Sequence, residues 1–318
     1  MKSRIYISWL LTIILGTVSA VAGTNYVVDP YHFNNVIDLH LDDDIALRRN
    51  YRLYKMTEFL RHPKPRIILG DSRGDALSER LFFEEGLTDI YNFSYGGGTF
   101  TDILDTFWFA DRHAPLKTVV MELPFNIYSA TSVSTFTREA EEALRQPILY
   151  YMNPLIFKTS VFQLYSRYTG VPIQIEKPRQ SKEAFWSFQL KETTRGFYGN
   201  WLFPQQSIAK LRTIASYCKS KDIHLIFVIP PTHVELQHQI TAYGLDEQYA
   251  HYKRELSELG QVLDYDYESE LTAERKNFRD PYHFTSGVAK IIVHHIVALL
   301  HAVDLDGHVM KTKTTKGY

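Results

Sequence analysis

The chain has 318 residues, 45% hydrophobic and 22% charged, a make-up that can bury a core of its own. Its formal net charge is −1 and no Lys/Arg block stands out, which excludes the footprint of a nucleic-acid binder. A single cysteine, Cys218, excludes an internal disulfide and reads as a bystander thiol.

Lys2 and Arg4 precede an uncharged, mostly apolar run over 5–22. About 18 such residues can cross a bilayer as a helix. Residues 1–23 therefore read as a signal anchor or a signal peptide, with Ala20-Val21-Ala22 offering cleavage before Gly23. The retained anchor is favoured. It implies a single-pass protein of the inner or cytoplasmic membrane, its basic end in the cytoplasm and the rest in the periplasm or outside the cell.

Residues 24–64 read as a lead-in helix and linker, with Leu47, Tyr51 and Tyr54 in one row and Leu53, Met56 and Leu60 in another. The Asp42-Asp43-Asp44 run reads as the cap of that helix before it reads as a metal site.

From Pro65 to Val303 strands alternate with helices. Apolar runs predict strands over 66–69, 89–95, 117–123, 223–229 and 261–267, with helices over about 75–86, 99–113, 205–221, 244–259 and 285–302. This is the pattern of an α/β fold with a doubly wound, mostly parallel, five-stranded sheet. Sites in such sheets form at the carboxyl ends of the strands. Ser72, the Gly96-Gly97-Gly98 loop, Asn126 and His233 each follow a strand and belong to one rim. An aromatic-rich stretch over about 126–204 interrupts the alternation and reads as an insertion near the strand ends. The polar segment 304–318 reads as a disordered tail.

The rim holds the parts of an activated serine. A serine hydroxyl needs a base within hydrogen-bond reach, and the base needs an orienting acceptor. Ser72 follows the first strand, and Asp280-Pro281-Tyr282-His283 lies before the last helix. His283 can take the Ser72 proton while Asp280 holds its imidazole. Backbone N–H groups of Ser72 and Gly97 are the natural donors to an oxyanion. His233 reads as a substrate contact or a structural histidine, and Asp71 as a turn-stabilising residue. The triple glycine lacks the Lys-Ser/Thr ending of a P-loop. His294 and His295, adjacent on a helix, point to different faces and form no metal pair. Neither a cofactor nor a metal is implied.

Three blocks carry a resemblance: Ile-Leu-Gly-Asp-Ser-Arg-Gly-Asp (68–75), Asn-Phe-Ser-Tyr-Gly-Gly-Gly-Thr (92–99) and Phe-Arg-Asp-Pro-Tyr-His-Phe-Thr-Ser-Gly-Val-Ala-Lys (278–290). They resemble the first, second and fifth sequence blocks of the SGNH (GDSL-type) hydrolase superfamily. The apolar N-terminus and the stretch Leu-Ile-Phe-Val-Ile-Pro-Pro-Thr-His-Val-Glu (225–235) resemble one branch of it. That branch holds exported, membrane-anchored proteins that assist acylation of envelope polymers, such as the D-alanyl-transfer and alginate O-acetylation proteins. The resemblance implies an SGNH-like domain over 65–303, with Ser72 as nucleophile, His283 as base, Asp280 as its orienter and Gly97 as an oxyanion donor. The third strand ends Val-Met-Glu-Leu-Pro-Phe-Asn, without the family's Gly-x-Asn-Asp. Asn126 is the residue that could stand in its place.

The expected function is therefore an exported serine acyl esterase or O-acyltransferase acting on a cell-envelope polysaccharide through an acyl-serine intermediate. The transferase version implies a membrane-bound O-acyltransferase as partner. The competing expectations are a non-catalytic envelope subunit, binding polysaccharide or scaffolding such an acyltransferase, and a simple secreted lipase.

Overall fold

A computed structural model describes residues 2–171 and 181–314, with side chains over 4–171 and 181–302. Along the chain, α1 (Lys2–Val28) is the apolar N-terminal helix. α2 (Asp43–Arg49) starts at Asp42, whose carboxylate accepts from the Asp44 N–H, so the acidic run caps a helix. α3 (Tyr51–Arg61) is capped in the same way by Asn50. β1 (Arg66–Leu69) runs into the Ser72 turn and α4 (Glu79–Glu84). β2 (Ile90–Asn92) leads to α5 (Phe100–His113), which opens on a capping box between Thr99 and Asp102. After β3 (Thr118–Glu122) come α6 (Phe136–Arg145), α7 (Pro147–Tyr151) and α8 (Pro154–Thr169). α9 (Lys182–Phe188) passes through a π-helical segment, Gln189–Thr193, into α10 (Thr194–Tyr198). Then follow α11 (Gln205–Ser220), β4 (His224–Ile229), α12 (Val234–Ala242), α13 (Asp246–Leu259), β5 (Gln261–Asp264), α14 (Glu270–Ala273) and α15 (Ser286–Thr314).

The five strands form one sheet in the order β2-β1-β3-β4-β5, every pair parallel. The fold is the α/β, doubly wound architecture that the strand–helix alternation predicts. Its order reverses between β1 and β3, and such a reversal opens a crevice at the carboxyl ends of those strands. Buried β-branched and apolar residues such as Ile68, Val120, Ile226 and Val228 pack against Ile292 and Val293 of α15. α5 and α11 pack on each other and on β1 and β4.

Two of the strands are shorter than their apolar runs. Asn92 Oδ1 accepts the Ser94 N–H, and Asp264 Oδ1 accepts the Asp266 N–H. Each side chain so takes a backbone donor just past its strand, while Tyr95 N–H still bonds to Gly70 O and Tyr265 N–H to Ile229 O. α12 is a helix that the sequence pattern did not set apart from the loop before α13.

The chain divides into two compact units. One comprises Met1–His62 and Thr135–Pro178, the other Pro63–Ser134 and Arg179–Tyr318. The stretch 126–204 is thus shared between them: α6, α7 and α8 belong with the N-terminal helices, while α9 and α10 belong with the sheet. Its residues 172–180 lie outside the described ones. Of the expected disordered tail, 304–318, residues 304–314 continue α15 as helix, with side chains described only to residue 302, and 315–318 lie outside the described residues.

Candidate active site

The first strand delivers the serine. Gly70 follows Leu69, and the Gly70-Asp71-Ser72-Arg73 turn bends over the end of the sheet. Asp71 Oδ1 accepts the Arg73 N–H at 2.8 Å, closing the turn from within. The parallel register pairs Leu69 with Met121, so the next step sets Gly70 against Glu122. A Cβ on Gly70 would lie 2.5 Å from Glu122 Oε2, so glycine is what leaves room for that buried carboxyl.

The turn brings Ser72 Oγ to 2.7 Å from His283 Nε2. His283 Nδ1 lies 2.8 Å from Asp280 Oδ2 and 2.9 Å from Asp280 Oδ1. Asp280 Oδ1 also accepts the backbone N–H groups of Tyr282 and His283. Burial pushes the Asp280 carboxyl up, but these His283 contacts and backbone donors outweigh it and hold the group below its ordinary range. Asp280 is therefore ionised beside the imidazole, and the order Ser–His–Asp is that of a proton relay.

The glycine loop after β2 meets this turn. Gly97 takes φ +70, the left-handed region that favours glycine. A Cβ on Gly98 would sit 2.9 Å from Gly70 O and 3.3 Å from Asp71 Cα, so Gly98 allows two backbone turns to touch. Neither the Ser72 N–H nor the Gly97 N–H has an acceptor among the described residues.

Asn126 comes from the turn after β3. Its Oδ1 accepts from Arg73 Nη2 at 2.7 Å, which leaves the Nδ2 hydrogens to face the cavity it lines. Three N–H sources, from Ser72, Gly97 and Asn126, therefore border one opening. That cavity has about 570 Å³, within the size of small-molecule sites. Ser72 and His283 lie on its wall with Thr131, Ser132 and Ile127. The π-helical segment and α10 add Gln189, Glu192, Thr193 and Phe197. π-helical turns recur where a helix is re-aimed at a functional site.

Two buried charged residues were not singled out by sequence reasoning. Arg73 is 2% exposed and donates to Asp71 as well as to Asn126. Glu122 is fully buried, and its Oε2 accepts the Asp71 N–H at 2.9 Å. Burial and the charge of Asp71 hold the Glu122 carboxyl well above its ordinary range, against the pull of Arg73. Burial also pushes Asp71 up, but Arg73 outweighs it and keeps Asp71 ionised. One cation thus faces an ionised carboxylate, Asp71, and a second carboxyl, Glu122, biased toward its protonated form. The sequence signal was present: an Arg directly after the serine, and an acidic residue inside an apolar strand.

His233 lies away from the Ser72 cavity. It is 4% exposed, caps α12 by accepting the Glu235 N–H at Nδ1, and packs edge-on against Trp186 and Phe278. The residue follows β4, one strand beyond the reversal, and is turned into the helix start instead of the crevice.

Cys218 is buried in α11, and burial pushes its thiol up to about 12, the opposite of an activated nucleophile. His294 and His295 bond separately to Glu85 and Tyr265. Among the described residues no group of three or more His, Cys, Asp or Glu could hold a metal ion.

The fold and site define a class by geometry: a parallel α/β sheet carrying a Ser–His–Asp relay at its switch point. Three solved structures are similar to the chain. A GDSL-like lipase from Bacteroides thetaiotaomicron is 12% identical with a TM-score of 0.41, over 80% of this chain and 98% of that one. A candidate acylhydrolase from Bacteroides fragilis is 12% identical with a TM-score of 0.39, over 77% and 94%. A candidate platelet activating factor from Streptococcus pneumonia is 10% identical with a TM-score of 0.41, over 81% and 95%. No family model and no curated protein matches the sequence.

Proposed function

We propose that the chain is an SGNH-type serine acyl esterase or O-acyltransferase, held at the membrane by α1, that works through an acyl-Ser72 intermediate. The observation that carries the reading is the continuous relay Ser72–His283–Asp280 opening onto a cavity bordered by three N–H sources. His283 Nε2 takes the Ser72 proton as Oγ attacks the acyl carbonyl. The oxyanion accepts from the N–H groups of Ser72 and Gly97 and from Asn126 Nδ2. The C–O bond then breaks, and His283 returns the proton to the departing alcohol oxygen. In the second half an acceptor hydroxyl or water gives its proton to His283 and attacks the acyl carbonyl; the bond to Ser72 Oγ breaks, and His283 returns the proton to Ser72 Oγ.

Hydroxyls of Thr131, Ser132 and Thr193 with the Gln189 amide on the cavity wall support a polyhydroxylated acceptor. An envelope polysaccharide fits that chemistry, and a membrane-bound O-acyltransferase would supply the acyl group. The test is release of acid from a small aryl acetate by the full chain in detergent, with and without an added oligosaccharide. Turnover that vanishes in Ser72→Ala supports the reading. Undiminished turnover in that variant removes it.

A further inference from the structure

The N-terminal helix does not end where its apolar stretch ends. The most apolar 18 residues within Arg4–Val28 have a mean hydropathy of 2.0, and the span reaches about 37 Å, more than the ~30 Å hydrocarbon core of a bilayer. Its early residues stand bare, Tyr6 at 70% and Ile13 at 61% exposure, but Val18, Val21 and Ala22 are partly covered. α7 and α8 pack against α1. Hydrogen bonds fix the level of that packing. Asn25 is fully buried, and its Nδ2 donates to Tyr151 O at 2.8 Å and to Asn153 O at 3.1 Å. Asn25 Oδ1 accepts from Ser160 Oγ at 3.1 Å. The corner between α7 and α8 is therefore held beside Asn25, at the exit of the apolar stretch, with part of α1's last apolar turns covered.

That corner is apolar on its outside. Ile148 is 63% exposed, Leu149 42% and Leu155 72%. No Asp, Glu, Lys or Arg occurs from Gln146 to Phe157. Single exposed apolar residues are ordinary on a protein surface. Three within eight positions, beside a helix long enough to cross a bilayer, lie where headgroups and upper acyl chains would meet them.

We propose that the α7–α8 corner is a membrane foot, with Ile148, Leu149 and Leu155 seated in the outer interfacial layer of the bilayer that α1 spans. This rests on the anchor reading of α1, and the occupant is lipid. Such a foot stiffens the junction between the spanning helix and its unit and limits tilting of α1 at the surface.

Depth-dependent quenching tests it on the full chain in nanodiscs. An environment-sensitive NBD dye is attached to Ile13→Cys, Ile148→Cys, Leu155→Cys or Lys210→Cys. The unsubstituted chain is the labelling blank, since Cys218 is buried. Positions 148 and 155 should lose emission to lipid-borne doxyl, like 13, and resist aqueous iodide, while 210 responds to iodide only. If 13 responds to doxyl but 148 and 155 follow 210, the anchor stands and the foot is overturned. If 148 and 155 resist both quenchers, a second copy or another protein covers the corner and the lipid proposal fails. If 13 itself follows 210, the anchor reading falls and the foot with it.

Discussion

Arg73 Nη2 donates to Asn126 Oδ1 at 2.7 Å, joining the turn after β1 to the turn after β3 beneath the cavity. The contact decides which way the Asn126 amide points. With its oxygen taken by a guanidinium, the amide offers its N–H groups where charge would develop on an acyl oxygen.

Asn126→Ala should therefore lower kcat about 100- to 1,000-fold with little change in KM, the usual cost of one oxyanion donor. Arg73→Lys should keep the positive charge beside Asp71 but lose the fork that reaches two partners at once. A drop in kcat with KM held, in a chain whose melting temperature moves little, is the expected result. Steady-state kinetics on an aryl acetate and a thermal melt measure both.

Asp280 holds Nδ1 of His283 and fixes the tautomer whose Nε2 accepts from Ser72. Asp280→Asn should cost on the order of 10⁴ in kcat, the loss known for a triad left with the wrong tautomer. His283→Ala should abolish turnover to a similar degree. Circular dichroism of both variants should match the unsubstituted chain, because His283 is 25% exposed at the cavity wall.

The Glu122 carboxyl, raised by burial and by the charge of Asp71, favours its protonated form in the folded chain. A raised carboxyl stabilises the fold at low pH, and that stability is lost as pH climbs from the unfolded value of about 4.3 through the folded one. Glu122→Gln keeps the shape and cannot ionise. Its melting temperature relative to the unsubstituted chain should therefore rise with pH above about 4.3. Melts at a series of pH values check the slope, and a gap that shrinks with pH would count against a neutral Glu122.

Gly98 lets the glycine loop rest on the serine turn, where an added Cβ would meet Gly70 O at 2.9 Å. The neighbour is backbone and cannot swing aside. Gly98→Ala should cost about 1–3 kcal/mol of stability and displace the Gly97 donor. Gly86→Ala is the comparison: it meets open space, so its cost comes from its positive φ alone. Denaturant titration measures both.

The sheet was legible because its strands are buried on both faces and read as unbroken apolar runs. Leu69 into Gly70 and Ile229 into Pro230 even mark strand ends correctly. The Ser72–His283–Asp280 constellation could be read from residue types and strand-end placement, although a sequence separation of 211 between Ser72 and His283 closes only through the fold. The placing of Glu122 beside Arg73 and Asp71 was not legible in advance, since contacts among buried groups from separate segments depend on strand register and not on local spacing. The division of 126–204 was hidden for a related reason. α6, α7 and α8 have ordinary helical patterns, and nothing in them says that their partners are α1, α2 and α3. His233 shows the limit of rim placement, because following a strand fixes position but not the direction of the ring.

The central claim is a nucleophilic Ser72 activated by His283. A fluorophosphonate probe on the full chain, followed by tandem mass spectrometry of the adduct, tests it most directly. The expected result is one adduct on Ser72, absent in Ser72→Ala and strongly slowed in His283→Ala. No adduct on a folded chain, or labelling that persists in Ser72→Ala, would contradict it.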